Sequence, residues 1–259
     1  MNRRNFIDLC AVFVLSVGIF APWLIKAQSR SLLLAAGKVP ASATCASSDT
    51  SLPHDELLWG SELTDADTTW VDGTGAGGTD VTNYNSSALS TGKVAGQCNV
   101  AWQWTIVGGT TTISYRYWDR GSAIGTTTEA DLIFYLYIQT APDDGENFSI
   151  CNTGESTDPG AAQCANVYIR NNSGTVEIQV SADVSSSWVA LTGSSWNKVK
   201  VHFDVTGANS SIAVNDGTPA TFTRSAARGI RYIHIGVPNG KSTDDNGIYV
   251  IDLICLNTP

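Results

Sequence analysis

The sequence predicts an all-β chain, an antiparallel β-sandwich of two sheets. Three observations carry this. Residues 196–256 hold four alternating apolar patterns split by turn chemistry. Residues 130–139 alternate in two clean rows. No helical period of useful length follows residue 25. With 259 residues, 15% of them charged and one Met, the chain has the length and composition of an extracellular β-domain with a real core.

The N-terminus comes first. Arg3 and Arg4 precede a mostly apolar run, residues 6–25, interrupted by Asp8, Gly18 and Pro22. A basic start, an apolar stretch and small residues after it predict an export signal over residues 1–29. The Arg-Arg-x-Phe-Ile run resembles a twin-arginine motif, with Asp8 where that motif favours Lys. An uncleaved anchor is the alternative, because about twenty residues can span a bilayer and Arg3 and Arg4 would hold its start inside. Residues 30–48 read as a linker, and residues 49–259 as the β-sandwich domain. The expected place is outside the cytoplasm: periplasmic, extracellular or on the cell surface. A membrane enters only through an uncleaved N-terminal segment.

Charge excludes one class of partner. The whole chain carries −9. Residues 41–259 hold ten basic and 23 acidic residues, a net −13. A body so acidic lacks the electrostatic footprint that nucleic acid requires. Neutral or cationic partners, or bound Ca²⁺, suit it better.

The strands follow in order. A short one is expected around Thr69-Trp70-Val71. Val100, Trp102 and Trp104 share a face; so do Ile113, Tyr115 and Tyr117, with Arg116 and Trp118 opposite. Leu132, Phe134, Leu136 and Ile138 form a core row, and Asp131, Ile133, Tyr135, Tyr137 and Gln139 the other. Val167 and Ile169 oppose Tyr168 and Arg170. Val176, Ile178 and Val180 continue. Val199, Val201, Phe203 and Val205 oppose Lys200, His202 and Asp204. After the turn at residues 206–209, Ile212 and Val214 resume, and Asn215-Asp216-Gly217 suits a tight turn with positive φ. Ile233 and Ile235 face in, Tyr232 and His234 out. Residues 248–256 are nearly all apolar, as for a strand buried on both faces. The count is ten to twelve strands.

Trp196 to Phe203, Ile212 to Gly217, Ile233 to Gly236 and Tyr249 to Ile254 together resemble the C-terminal half of laminin-G-like, concanavalin A-like jelly rolls. That resemblance covers about sixty residues and implies a jelly-roll fold. Its family includes sugar-binding, protein-binding and hydrolytic members, so function must come from the site.

Six cysteines are present. Cys10 lies in the export segment. Cys151 and Cys164 flank a plain loop, and a disulfide there would add about 3 kcal/mol in the chain-entropy model. A second disulfide is expected among Cys45, Cys98 and Cys255, with Cys45–Cys255 the favoured pair because sandwiches often bring first and last strands together. No zinc spacing occurs.

Three candidate sites follow. Tyr135, Tyr137, Arg116, Trp118, Tyr168, Arg170, His202 and His234 fall opposite the core rows. Gathered on one sheet they would form a groove of rings and donors suited to sugars; spread over two sheets they are ordinary strand residues. Asp143-Asp144 and Asp244-Asp245, with a looser group at Asp65, Asp67 and Asp72, are loop clusters of hard oxygen ligands. Jelly rolls of this type often bind Ca²⁺ in such loops, although no ordered ligand pattern is present and Asp-Asn-Gly runs are commonly turns. Glu129-Ala130-Asp131 begins the carboxylate pattern of concanavalin A-like hydrolases. The second acid is absent, and retaining chemistry needs two about 5 Å apart. The expected function is therefore a secreted or surface-tethered module that binds glycan or a surface protein, with Ca²⁺ as a candidate aid. A structural or assembly protein of a cell surface, filament or virion is the alternative; a polysaccharide-degrading enzyme is the minor one.

Overall fold

The computed structural model describes residues 56–59, 70–74, 82–89, 91, 100–106, 114–125, 128–238 and 246–258. All lie in the compact unit Cys45–Pro259. The export segment, the linker, Cys45, Cys98, Asp65, Asp67, Asp244 and Asp245 fall outside the described residues.

Two antiparallel sheets form the jelly-roll sandwich. Sheet A runs in the order β13 (Ala220–Phe222), β12 (Ser210–Val214), β11 (Asn197–Phe203), β6 (Ala130–Thr140), β15 (Gly247–Asn257), β4 (Val100–Ile106), β3 (Thr82–Asn85). A further strand, β1 (Glu56–Trp59), also pairs with β15. Sheet B runs β10 (Val189–Ala190), β9 (Thr175–Ser181), β8 (Gln163–Asn172), β7 (Asn147–Gly154), β14 (Ile230–Val237), β5 (Ser114–Ile124), β2 (Trp70–Thr74). The fifteen described strands exceed the ten to twelve expected, because short strands such as β10 and β13 carry too few residues to show an alternation.

The core lies between the sheets. Leu132, Phe134 and Leu136 of β6, Val199, Val201 and Phe203 of β11, and Ile233 and Ile235 of β14 all enter it, as their alternation requires. Each such side chain contributes roughly 1.5–3 kcal/mol by leaving water. Trp102 meets Trp70 edge-on at 5.0 Å, and Trp104 stacks on Tyr249 at 5.6 Å. The Tyr249 hydroxyl donates to the Gly236 carbonyl, tying sheet A to sheet B.

β15 is buried on both faces, as its composition implies, and a bulge makes this work. Tyr249 and Ile251 face the inter-sheet core; after the irregularity between Asp252 and Cys255, Ile254 and Leu256 do so. Leu253 supplies the turn with φ 47°. Val250, Leu253 and Cys255 are left for a second apolar cluster on the far side of sheet A. A bulge thus switches which residues of one strand face inward.

Two local expectations need correction. The positive φ values after β12 fall on Asn215 (51°) and Asp216 (56°), one position before the anticipated Asp-Gly pair. Asn tolerates that region, and Asn215 Oδ1 accepts from Lys198 N at 2.9 Å. Cys151 and Cys164 are free buried thiols, so the expected disulfide is absent. They lie on adjacent strands, but β7 pairs Cys151 with Val167, three residues along β8 from Cys164. Burial raises both thiols, Cys164 to about 11. Cys255 is buried; its proposed partner Cys45 is outside the described residues.

One buried cation organises an end of the sandwich. Arg224 is 2% exposed. Its guanidinium donates to the carbonyls of Gly125, Asp204, Ser225 and Arg228 and faces the Phe203 ring. Gly207, at φ 78°, lets the neighbouring turn approach: a Cβ there would lie 2.3 Å from the Arg224 carbonyl oxygen.

Candidate functional site

The outer faces of the two sheets differ, and the eight expected ligand-binding residues divide among three places. Tyr168, Arg170 and His234 are on the outer face of sheet B. Tyr135, Tyr137 and His202 are on the outer face of sheet A. Arg116 and Trp118 point the other way, toward the core: β14 pairs them with Ile235 and Ile233. Trp118 packs on the core, and the Arg116 guanidinium lies 5.0 Å from the Trp102 ring centroid. The groove expected from all eight therefore does not form.

The inversion of β5 has a readable cause. Ile113 made the Tyr115–Tyr117 row look like core. Asp119 shares that row, and a carboxylate belongs in water. Trp118 has the larger apolar ring to place against the core, while Arg116 can lay its stem inward. Tyr115 and Tyr117 thus join the outer face, where sequence reasoning missed them.

On sheet B this outer face is aromatic and amide-rich. Tyr115 and His234 meet at 5.3 Å, Tyr117 and Tyr232 at 6.0 Å, Tyr117 and His234 at 5.9 Å. Register sets His234 beside Tyr117 on β5 and Asn152 on β7, and Asn152 beside Asn166 on β8. Asn152 Nδ2 donates to Asn166 Oδ1. Further along, Tyr168 pairs with Gln179 and Arg170 with Glu177. The Arg170 guanidinium is 2.7 Å from Glu177 and lies 4.2 Å from the Trp188 ring centroid. At the opposite end, Arg231 grips Asp119 through Nε and Nη2 at 2.9 and 3.1 Å and stacks over Tyr232.

A loop, residues 155–162, closes over the middle. Thr157 presents its carbonyl to His234 Nε2 at 3.2 Å and to the Tyr115 hydroxyl at 3.5 Å. Pro159 O accepts from Asn152 Nδ2 at 3.2 Å and from Gln163 Nε2 at 2.7 Å. A carbonyl only accepts, so Nε2 of His234 carries the proton. The ring is fully buried, and burial pulls its pKa down to about 4. It is a neutral hydrogen-bond donor at ordinary pH. Burial, then the Asp158 charge, raises the Tyr115 hydroxyl. The Arg231 hydrogen bond holds Asp119 below the usual carboxylate range.

Sheet A carries a different outer face. Tyr135, 4% exposed, is packed with Ile133, Leu89, Trp196 and Leu253. Trp196 Nε1 donates to Leu89 O at 2.6 Å, and its ring meets Tyr137 at 5.6 Å. Beyond this cluster, buried Asp131 accepts from His202 Nδ1 at 2.8 Å and from Lys200 Nζ at 2.7 Å. Asp131 is thus a bridging group, and Glu129 beside it is exposed.

The acidic loops meet in part. Asn246 Nδ2 donates to Asp143 Oδ2 at 2.6 Å, and Asp144 Oδ1 accepts from Ser173 N at 2.5 Å. Among the described residues no group of three or more His, Cys, Asp or Glu side chains gathers to hold a metal. Ca²⁺ takes 6–8 oxygens, so the described donors alone do not fit it.

No family model matches the sequence, and no curated protein matches it. Solved structures do. The conserved carbohydrate esterase of the Shiga toxin-encoding bacteriophage phi24B is 13% identical, with a TM-score of 0.54 over 78% of this chain and 98% of that one. An alginate lyase of polysaccharide lyase family 7 is 14% identical, with a TM-score of 0.47 over 61% and 78%. The marine family 7 alginate lyase of Zobellia galactanivorans is 12% identical, with a TM-score of 0.42 over 71% and 86%. The likeness to the phage protein is one of fold: the jelly-roll β-sandwich.

Proposed function

We propose that the chain is an exported or surface-tethered module that binds glycan across the outer face of sheet B. The observation that carries this is an aromatic outer face in which half-buried Tyr115 and Tyr117 pack on the buried rings of Tyr232 and His234 and are continued by half-buried Tyr168, Arg170 and Trp188. Sugar rings stack their C–H faces on such rings while amides and hydroxyls take directional hydrogen bonds. The phage protein of like fold is described as a carbohydrate esterase, which agrees with a glycan ligand.

Binding is favoured over turnover by the chemistry of His234. A general acid or base works best with a pKa near the operating pH. His234 is instead buried, neutral and committed to a backbone carbonyl. The test is a glycan array on the full chain, repeated with EDTA to expose any Ca²⁺ dependence. Binding that Tyr117→Ala and Tyr168→Ala both abolish supports the reading. Silence across the array, or turnover of a polymer lost in His234→Gln, overturns it.

A further inference from the structure

The charges on the outer face of sheet B bear on the class of glycan it could take. The strands of sheet B contain four arginines and no lysine. Arg116 faces the core, on the Trp102 ring. Arg120 bonds Ser122 at the far end of β5. The two that reach the aromatic face are each matched with a carboxylate. Arg170 meets Glu177 at 2.7 Å, and Arg231 grips Asp119 in a bidentate pair. The loop over the face adds Glu155 and Asp158. Glu155 accepts from Gly229 N at 2.7 Å, and Asp158 from Gly160 N at 2.8 Å. The described charges of this face and its covering loop are thus two cations and four carboxylates, with a third cation, Arg228, donating to Gln163 O at 2.8 Å where the loop ends.

From this we infer that the face takes a neutral saccharide and rejects polyuronates. The inference rests on the glycan-binding reading above and adds the ligand's class. A polyuronate brings a carboxylate on every sugar. To bind here it would have to compete with Asp119 or Glu177, which already neutralise the charge of Arg231 and Arg170, or lie beside the carboxylates of Glu155 and Asp158. Like charges juxtaposed in an interface repel and disfavour the wrong partner. A neutral sugar meets neither obstacle. The matched arginines then serve as braces: Arg231 lies 4.9 Å from the centroid of the buried Tyr232 ring, which packs against Tyr117, and Arg170 lies 4.2 Å from that of half-buried Trp188.

Native affinity electrophoresis of the full chain tests this, in gels containing galactomannan, xylan, dextran or alginate at 0.15 M salt. Expected is retardation by at least one neutral polymer and none by alginate. The variants Glu177→Gln and Asp119→Asn, singly and together, release the arginines. They are expected to acquire alginate retardation of tenfold or more over the parent chain, with the thermal midpoint reporting that they remain folded. Alginate retardation of the parent chain would sink the neutral-ligand inference and leave glycan binding standing. Folded variants that stay blind to alginate would also sink it, since the arginine pairs would then not set the selectivity. Retardation by no polymer removes both readings.

Discussion

The outer faces of the two sheets start from similar strand alternation and end as opposites. On sheet A, Tyr135, Leu253 and Cys255 are packed with Trp196 and Leu89 into a second dry cluster. On sheet B, the rings of Tyr115, Tyr117 and Tyr232 are interleaved with Asn152, Asn166 and two arginine–carboxylate pairs. The lesson is that a tyrosine opposite a core row is not thereby a contact for a ligand. What matters is its neighbours on adjacent strands. Apolar neighbours make it a second core; amide and ionic neighbours give the face for which glycan binding is proposed above.

The contrast can be broken most forcefully at Trp196. Trp196→Ala removes a buried ring and leaves the Leu89 carbonyl without its donor. A loss of about 3–5 kcal/mol is expected by urea unfolding, with glycan affinity unchanged. An affinity loss without a stability loss would reverse the roles of the two faces.

His234 gives the next largest effect, and it depends on pH. Burial pulls its folded pKa down to about 4, below the ordinary histidine value of 6.5. Between these values the unfolded chain binds more protons, so stability rises with pH across that window. The contribution is complete above about pH 6.5 and is lost as pH falls toward 4, at roughly 3 kcal/mol in total. His234→Gln should flatten that part of the stability–pH curve. An unchanged curve would mean the ring is not held neutral by burial.

Tyr117 sharpens the comparison from the binding side. It is half-buried in the aromatic cluster. Tyr117→Ala is expected to cost only about 1 kcal/mol of stability, yet to weaken glycan binding at least tenfold on the array. The smallest effect is expected at Asp131. Lys200 and His202 are partly exposed, so solvent screens the bridges, and Asp131→Asn should cost about 1 kcal/mol or less in urea. A much larger loss would make this cluster a structural centre of sheet A.

The fold was legible in the sequence because its signal is local. Val199, Val201 and Phe203, and Leu132, Phe134 and Leu136, show which face is inward without any knowledge of their partners. The placement of Tyr168, Arg170 and His234 on an outer face was legible for the same reason. Which sheet each strand joins is a matter of long-range pairing, and alternation does not encode it. That is why alternation alone groups Tyr135 and His202 with His234 although they belong to the other sheet. Bulges add a second limit. The irregularity at Asp252–Cys255 switches the inward row of β15 within one strand, so period-two counting cannot carry across it.

The carbonyl cage around Arg224 bears on how the protein meets its surroundings. Its positive charge is balanced by oriented backbone dipoles, which dissolved salt does not screen as it does exposed ion pairs. A lysine could not stand in, since its point-like ammonium cannot span acceptors arranged for a flat fork. The loops knotted at that end should therefore hold equally in brine and in fresh water, while the surface pairs loosen.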